Sequence, residues 1–169
     1  MEIKMLEQSI LSKEAAQEKL HRMALEIVEN TGEDEKELVL IGIEKKGFII
    51  AQKLKTDIEK YLSAHVEILS VSFNKNYPTD IVLSKEMNFD DKNIILIDDV
   101  INSGKTFLYA LKPLLGFHPK RIRTAALIER MHKLFPIKPD YVGLSVATTL
   151  QDQIKVIIEN GEIIGAIFE

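Results

Sequence analysis

One stretch of the chain, residues 93–106, constrains the fold more than any other. It begins with four consecutive aliphatic residues, Ile94 to Ile97, a pattern typical of a strand buried on both faces in a parallel sheet. Two carboxylates, Asp98 and Asp99, follow at the strand's carboxyl end, and a polar run containing Gly104 leads into an apolar-periodic segment that is predicted to be helical. Ligands of such sheets bind beyond the strand ends, where free backbone N–H groups attract phosphate. The first hypothesis is a site for a phosphorylated sugar.

The rest of the chain repeats this alternation of strand, polar loop and helix. The predicted helices cover residues 12–30, 48–62 and 106 to about 115. The predicted strands cover residues 38–43, 65–73, 94–97, 123–128 and 141–146, with brief pairing of 81–83 and a hairpin of 154–159 and 162–168 around an Asn-Gly turn. This order predicts one α/β domain over residues 1–169, with a mostly parallel central sheet, flanking helices and an antiparallel end.

Composition excludes several classes of protein. The chain has 169 residues, of which 46% are hydrophobic and 28% charged, with a net charge of −4, as expected for an ordinary globular domain. It contains no cysteine, which excludes disulfides, thiolate catalysis and cysteine-based zinc sites. The sequence shows no clustered metal-ligand spacing, signal peptide or membrane-spanning apolar run, so a cytoplasmic protein with no membrane partner is predicted.

The run Ser103-Gly104-Lys105-Thr106 also invites comparison with a nucleotide-binding P-loop. That loop requires a second glycine five residues before Gly104, and Asp99 occupies the position. Two carboxylates would then lie where the β- and γ-phosphates belong. The spacing therefore argues against an ATPase or GTPase.

Residues 94–106 instead resemble the phosphoribosyl pyrophosphate (PRPP) motif of the type I phosphoribosyltransferases: four apolar residues, two acids, an apolar residue and a short Ser/Thr-Gly loop. The resemblance implies a Rossmann-like fold with a small hood. It also implies that Asp98 and Asp99 are the catalytic pair and accept hydrogen bonds from the ribose 2′- and 3′-hydroxyls. The implied cradle for the 5′-phosphate consists of Asn102, Ser103, Gly104, Lys105 and Thr106.

Other segments are similar to the same family, and most closely to its subfamily of pyrimidine-operon regulators with uracil phosphoribosyltransferase activity. Residues 40–51 resemble the pyrophosphate loop and the helix after it, and residues 125–137 resemble a hood segment over the base. The implied pyrophosphate ligands are Glu44, Lys45, Lys46 and Gly47. The implied base-binding residues are Arg130, His132, Tyr141 and Val142, and Lys75 belongs to the flexible loop.

The resemblance implies transfer of the phosphoribosyl group of PRPP to a nucleobase, with release of pyrophosphate, in nucleotide salvage. Uracil is favoured as the base and a purine is possible. Magnesium is expected to arrive with PRPP rather than in a metal site of the protein, and a homodimer is expected.

Two alternatives stay open. The stretch from Phe73 to Asp91, which corresponds to the family's flexible loop, is short, so a protein that binds PRPP without turnover is one of them. The other is a PRPP- or nucleotide-sensing, RNA-binding regulator of pyrimidine genes with weak or no catalysis. The acidic net charge and the single dense basic cluster, Lys120, Arg121 and Arg123, make RNA an unlikely partner on sequence grounds.

Overall fold

The computed structural model describes residues 8–74, 80–149 and 152–169. Within these ranges the chain forms nine strands, three α-helices and one 3₁₀ turn, Lys112–Leu114. The helices are α1 (Lys13–Thr31), α2 (Glu44–Glu59) and α3 (Lys105–Ala110). The strands are β1 (Ser9–Ser12), β2 (Glu37–Ile43), β3 (His65–Phe73), β4 (Ile81–Leu83), β5 (Asn93–Ile101), β6 (Arg121–Arg130), β7 (Tyr141–Val146), β8 (Ile154–Glu159) and β9 (Glu162–Phe168).

Six strands form the central sheet in the order β4-β3-β2-β5-β6-β7. All neighbours are parallel except β4, which pairs antiparallel with β3 at the edge. The aliphatic run of β5 lies in the middle, with Ile95 in register with Leu40 of β2 and Ile97 in register with Ala125 of β6. The predicted mostly parallel α/β architecture is confirmed, and the carboxyl ends of β2, β5, β6 and β7 meet at one edge.

The sheet separates two apolar cores. On one side α1 and α2 bury residues such as Ile27 and Leu54 against β2 and β5. On the other side Phe107 of α3 packs with Phe89 and Leu114. Each fully buried side chain of this size contributes about 1.5–3 kcal/mol relative to an exposed one, and together they hold β5 rigidly between the layers.

A second, three-stranded antiparallel sheet is formed by both ends of the described chain, in the order β1-β9-β8, and we call it the hood. The predicted hairpin of β8 and β9 is present, but it belongs to this separate sheet and not to an antiparallel end of the central one. Strand β1 was not predicted, because four residues carry too little periodicity to be recognised. The interpretation of residues 125–137 as a hood segment is wrong, because residues 125–130 belong to β6, next to β5 in the central sheet.

Three element boundaries near the strand ends also differ from the sequence-based expectation. Strand β5 continues past the carboxylates to Ile101, because Val100 and Ile101 still pair with β6. Helix α2 begins at Glu44, so the residues predicted to form a loop are its first turn. Helix α3 ends at Ala110, because Pro113 has no N–H to continue the helical hydrogen bonds, and a 3₁₀ turn follows.

In the ranges that the structure describes, the helices lack the combination of length and apolar character needed to cross a lipid bilayer.

Candidate functional site

The carboxylates of Asp98 and Asp99 lie at the centre of the edge where the parallel strands end. Both side chains are half-buried, and the backbone N–H of Asp99 donates a hydrogen bond of 2.8 Å to Asp98 Oδ1. The preceding residues of the strand, Ile94 to Ile97, are each 2% exposed or less. Their packing fixes the backbone of the two aspartates at the end of the sheet. The structure therefore places the predicted catalytic pair where ligands of open α/β sheets bind.

The environment of this pair is electrostatically unfavourable for a carboxylate. Burial raises the pKa of Asp98 well above its usual range, the negative charge of Asp99 raises it further, and Glu44 adds a smaller effect of the same sign. Asp98 thus experiences the negative charge of two other carboxylates, that of Asp99 beside it and, more weakly, that of Glu44. Hydrogen-bond donors such as sugar hydroxyls, or a cation, would relieve their repulsion.

Glu44 occupies an unusual backbone conformation at the junction of β2 and α2. Its φ of 55° lies in the left-handed region, which non-glycine residues seldom adopt. Its carboxylate accepts a hydrogen bond of 3.0 Å from the N–H of Phe73, the last residue of β3. Strained residues of this kind are concentrated at functional sites, and this one ties the ends of β2 and β3 together beside Asp98.

Two glycines bring α2 into direct contact with the strands. A Cβ atom on Gly42 would lie 2.4 Å from the Cα atom of Phe48. A Cβ atom on Gly47 would lie 2.6 Å from the carbonyl oxygen of Ile97 and 3.3 Å from Asp98 Oδ1. Because of this close approach, the first turn of α2, whose N–H groups have no partner within the helix, lies directly beside the carboxylate pair.

The two lysines of the predicted pyrophosphate segment have different roles. Lys45 is exposed, whereas Lys46 Nζ donates a hydrogen bond of 2.8 Å to the carbonyl oxygen of Val156 in β8. Further along α2, Lys53 Nζ lies 3.0 Å from Glu162 Oε2 of β9. Lys46 therefore fastens the hood to the start of α2, a role that its position in the sequence did not reveal.

The loop after β5 forms a small concave surface. Gly104 has a φ of 88°, which favours glycine, and the hydroxyl of Ser103 accepts a hydrogen bond of 3.2 Å from the N–H of Lys105. A cavity of about 50 Å³ is lined by Val100, Ile101, Asn102, Ser103, Gly104, Thr106 and Phe107. Four of the five predicted phosphate-binding residues, all except Lys105, line this small cavity of backbone and hydroxyl groups. Lys105 is exposed, with its Nζ 5.7 Å from the ring centroid of Tyr109.

The four predicted base-binding residues are not brought together. Arg130 and His132 lie at and just after the carboxyl end of β6, and His132 is exposed. Arg130 Nε donates a bond of 2.7 Å to Thr148 Oγ1, and its Nη2 donates one of 2.8 Å to the carbonyl oxygen of Thr149.

Tyr141 and Val142 lie lower, at the start of β7. Tyr141 is 2% exposed, belongs to the core beneath α1 and α2, and its hydroxyl accepts a hydrogen bond of 2.8 Å from Arg123. The carbonyl oxygen of Val142 accepts a hydrogen bond of 2.7 Å from Arg22 Nη2. These contacts give both residues structural partners away from the strand ends. Lys75, the predicted loop cation, lies outside the described residues.

A polar cluster at the ends of β6 and β7 was missed by the sequence analysis. The carboxylate of Glu129 is in close contact with Lys133 Nζ and accepts a hydrogen bond of 2.9 Å from the hydroxyl of Ser145. A signal was available, because Glu129 follows the buried run of β6 just as Asp98 follows that of β5, and Lys133 stands four residues later.

Comparison with known proteins decides the family. The phosphoribosyl transferase domain family matches residues 7–158. The chain belongs to the phosphoribosyltransferase family. The bifunctional protein PyrR of Nostoc punctiforme is 35% identical over 160 residues, which covers 89% of this chain and 89% of that protein. The PyrR protein of Leuconostoc mesenteroides is 31% identical over 159 residues, covering 89% of this chain and 90% of that protein. The predicted subfamily is confirmed.

Solved structures of this family share the fold. The hypoxanthine phosphoribosyltransferase of Trypanosoma cruzi superimposes with a TM-score of 0.78 over 95% of each chain, at 13% identity. A hypoxanthine-guanine phosphoribosyltransferase of Bacillus anthracis gives a TM-score of 0.67 at 24% identity, covering 83% of this chain and 82% of that one. At these identities the likeness shows the fold, and the predicted phosphoribosyltransferase architecture is confirmed.

We predict that Asp98→Asn stabilises the ligand-free protein at pH 8. Because the pKa of Asp98 is raised in the folded state, ionisation of this carboxyl opposes folding above that pKa. Asparagine removes the charge of this half-buried side chain and keeps the Oδ1 acceptor for the N–H of Asp99. A gain on the order of 1 kcal/mol would raise the melting temperature by roughly 2–4 °C in a domain of this size. The gain should shrink as the pH falls through the raised pKa towards the ordinary carboxyl range, where the wild-type side chain is also neutral.

The measurement is a thermal melting curve at pH 8 and pH 5 without ligands. Glu33→Gln, which removes an exposed carboxylate in the loop after α1, serves as the control. A lower melting temperature for Asp98→Asn at pH 8 would contradict the inferred repulsion.

We also predict that Gly47→Ala separates the first turn of α2 from Asp98. The added methyl group would lie 2.6 Å from the carbonyl oxygen of Ile97, so backbone must move. Overpacking of this kind costs about 1–3 kcal/mol, and the protein should melt at a lower temperature and bind pyrophosphate more weakly. Gly116→Ala is the matched control, because a Cβ atom there meets nothing within 4 Å. Equal behaviour of the two variants would refute the close approach.

Proposed function

We propose that this protein transfers the phosphoribosyl group of PRPP to a nucleobase and releases pyrophosphate, in nucleotide salvage. Uracil is the favoured base, and a purine is the alternative. The observation that carries the proposal is the juxtaposition of the Asp98–Asp99 pair with the cavity of about 50 Å³ behind Gly104, in a chain of this family. A sugar that bears a phosphate at one end and vicinal hydroxyls at the other matches both features.

Each part of the site has a role in this reaction. The carboxylates of Asp98 and Asp99 accept hydrogen bonds from the ribose hydroxyls, charge-assisted and therefore short. The amides and hydroxyls of residues 102–106 surround the 5′-phosphate. The start of α2, with Lys45, faces the pyrophosphate.

The transfer reaction depends more on positioning of the substrates and on electrostatic stabilisation than on a reactive side chain. Bond breaking at the ribose C1 atom produces an oxocarbenium-like ring with positive charge, which the two carboxylates beside it stabilise. The site is built before the substrate arrives, because Asp98 is held by β5 and by the contact with Gly47. Such preorganisation contributes more to catalysis than flexible charges do.

Magnesium fits this site as a companion of PRPP. In the described part of the chain, groups of three or more acidic, histidine or cysteine side chains that could hold a metal ion by themselves are absent. Magnesium keeps several waters and usually binds through one or two carboxylates together with phosphate oxygens. The ion would be held chiefly by phosphate oxygens and water beside the Asp98–Asp99 pair, and it would neutralise charge on the pyrophosphate.

The identity of the base rests on the subfamily. Several relatives are PyrR proteins, and the resemblance in the sequence favours uracil, whereas the structural neighbours include hypoxanthine phosphoribosyltransferases. We propose that the base lies near Arg130 and His132, at the end of β6. A contact of Tyr141 or Val142 with the base requires a rearrangement at the start of β7, since both have partners there.

RNA binding is the second candidate function, because the relatives are named bifunctional. The dense basic cluster offers little support for it. Lys120 bonds Glu35 at 2.8 Å, Arg121 bonds the carbonyl oxygen of Asn30 at 3.3 Å, and Arg123 bonds the Tyr141 hydroxyl. Cations that already have hydrogen-bond partners are less available to RNA phosphates.

We propose a cytoplasmic homodimer whose main ligands are PRPP and a nucleobase.

The proposed activity predicts release of pyrophosphate from PRPP and magnesium in the presence of one base from a panel of uracil, hypoxanthine, guanine, xanthine and orotate. Uracil should give the highest kcat/KM, since the subfamily resemblance favours it. The measurement is a coupled pyrophosphate assay. If calorimetry shows PRPP binding but none of the five bases gives pyrophosphate release, the result would instead support a protein that binds PRPP without catalysing the transfer.

The double variant Asp98→Asn/Asp99→Asn should bind PRPP at least about tenfold more weakly, because neutral amides make weaker hydrogen bonds to the ribose hydroxyls than carboxylates do. Calorimetry measures the change, and circular dichroism verifies the fold. Glu33→Gln again controls for the removal of a charge, and its affinity should match the wild type. Unchanged affinity of the double variant would refute the assignment of the ribose site.

RNA binding is tested by a gel shift with pyrimidine-gene leader RNA at two salt concentrations. Because phosphate contacts dominate such affinity, genuine binding would weaken steeply with salt. We expect no shift even at low salt, and a salt-sensitive shift would establish the second function.

A further inference from the structure

The segment that follows β6, residues 133–137, is in direct contact with the loop predicted to hold the 5′-phosphate. The backbone N–H groups of Leu134 and Phe135 both donate hydrogen bonds of 3.0 Å to the carbonyl oxygen of Ser103. Two donors on one carbonyl oxygen define its direction more strictly than one donor does.

The direction of that carbonyl sets the direction of the next amide. The peptide bond between Ser103 and Gly104 is trans, like every other described peptide bond. In a trans peptide the C=O and the following N–H point in opposite directions. Because the Ser103 oxygen points to residues 134 and 135, the Gly104 N–H points away from them, on the side opposite to the segment.

Gly104 itself is packed against the same segment. A Cβ atom there would lie 3.3 Å from the carbonyl oxygen of Phe135 and 3.4 Å from Ile137 Cβ, and its φ is 88°. The loop and the segment therefore touch through their backbones, and a shift of the segment moves Gly104.

The segment is anchored at both ends. Lys133 is in close contact with Glu129, with only 12% and 14% of their side chains exposed, and Ser145 donates a hydrogen bond of 2.9 Å to the same carboxylate. At the other end Ile137 packs against the core formed by β5 and α3. Both anchors belong to the rigid sheet layers, so the segment can transmit their position to the phosphate loop.

We propose that residues 133–137 form a positioning element that holds the Gly104 N–H towards the 5′-phosphate of PRPP, with Lys133 as its anchoring side chain. This inference rests on the proposed function and identifies residues that act on the phosphate without touching it. In this proposal the residues after β6, close to the proposed base site, also determine how the 5′-phosphate is bound.

The test compares Leu134→Pro with Leu134→Ala. Leu134 is 84% exposed, so both variants remove little packing. Only proline removes the N–H of residue 134, one of the two donors to the Ser103 carbonyl oxygen. The probes are ribose 5-phosphate, which carries the 5′-phosphate, and inorganic pyrophosphate, which does not. Calorimetry measures both affinities in a buffer with magnesium.

We expect Leu134→Pro to bind ribose 5-phosphate about tenfold more weakly than Leu134→Ala, with affinities for pyrophosphate within about twofold of each other. Loss of both ligands in parallel would indicate general damage and overturn the inference. Equal affinity of the two variants for ribose 5-phosphate would also overturn it, while leaving the proposed function intact.

Lys133→Met decides the question if the proline variant does not fold. It removes the anchor to Glu129, keeps an unbranched side chain and leaves Ser103 untouched. We expect a selective loss of affinity for ribose 5-phosphate of roughly threefold or more. Met131→Ala, an exposed side chain just before the segment, should bind like the wild type. Unchanged binding by Lys133→Met would overturn the inference, and a wild-type protein that binds neither PRPP nor ribose 5-phosphate would overturn the proposed function with it.

Discussion

The burial of β5 between β2 and β6 is the constraint on which the site depends. Ile94 to Ile97 pack into apolar cores on both faces of the sheet, and this packing fixes the backbone position of Asp98 and Asp99, which follow. Asp98 is consequently kept partly out of water beside a second carboxylate, which raises its pKa. Folding energy from the cores offsets that unfavourable electrostatic arrangement, and a bound ligand with hydroxyl groups would relieve it.

Backbone contacts, more than side-chain charges, shape the surroundings of this pair. Gly47 allows close contact between the first turn of α2 and Ile97, and Gly104 allows the loop after β5, the proposed 5′-phosphate site, to pack against the segment after β6. Amide N–H groups fixed in this way need no reorganisation when charge develops during a reaction. The acidic net charge of the chain is therefore compatible with binding a polyanion, since the local donors are neutral dipoles.

The parts of this structure that could be predicted are those encoded locally. The runs of β2 and β5, the Asp98–Asp99 pair and the Ser103–Gly104 turn follow from periodicity and spacing within a few residues. The parts that could not be predicted depend on partners far away in sequence: Lys46 bonds a carbonyl 110 positions later, and Arg22 bonds one 120 positions later. Strand β1 is a further example, because it exists only by pairing with β9 at the other end of the chain.

The engagement of Lys46 with the hood bears on how a pyrophosphate leaving group is stabilised in the proposed reaction. A lysine that bonds a carbonyl of β8 cannot at the same time lie free over the phosphates, so among the predicted side chains Lys45 is left for that task. The first-turn amides of α2 then carry more of the stabilisation. Because Lys46 and Lys53 both join α2 to the hood, movement of the hood and the position of those amides are mechanically linked. In the proposed reaction, the hood thus influences the leaving-group side of the site through α2.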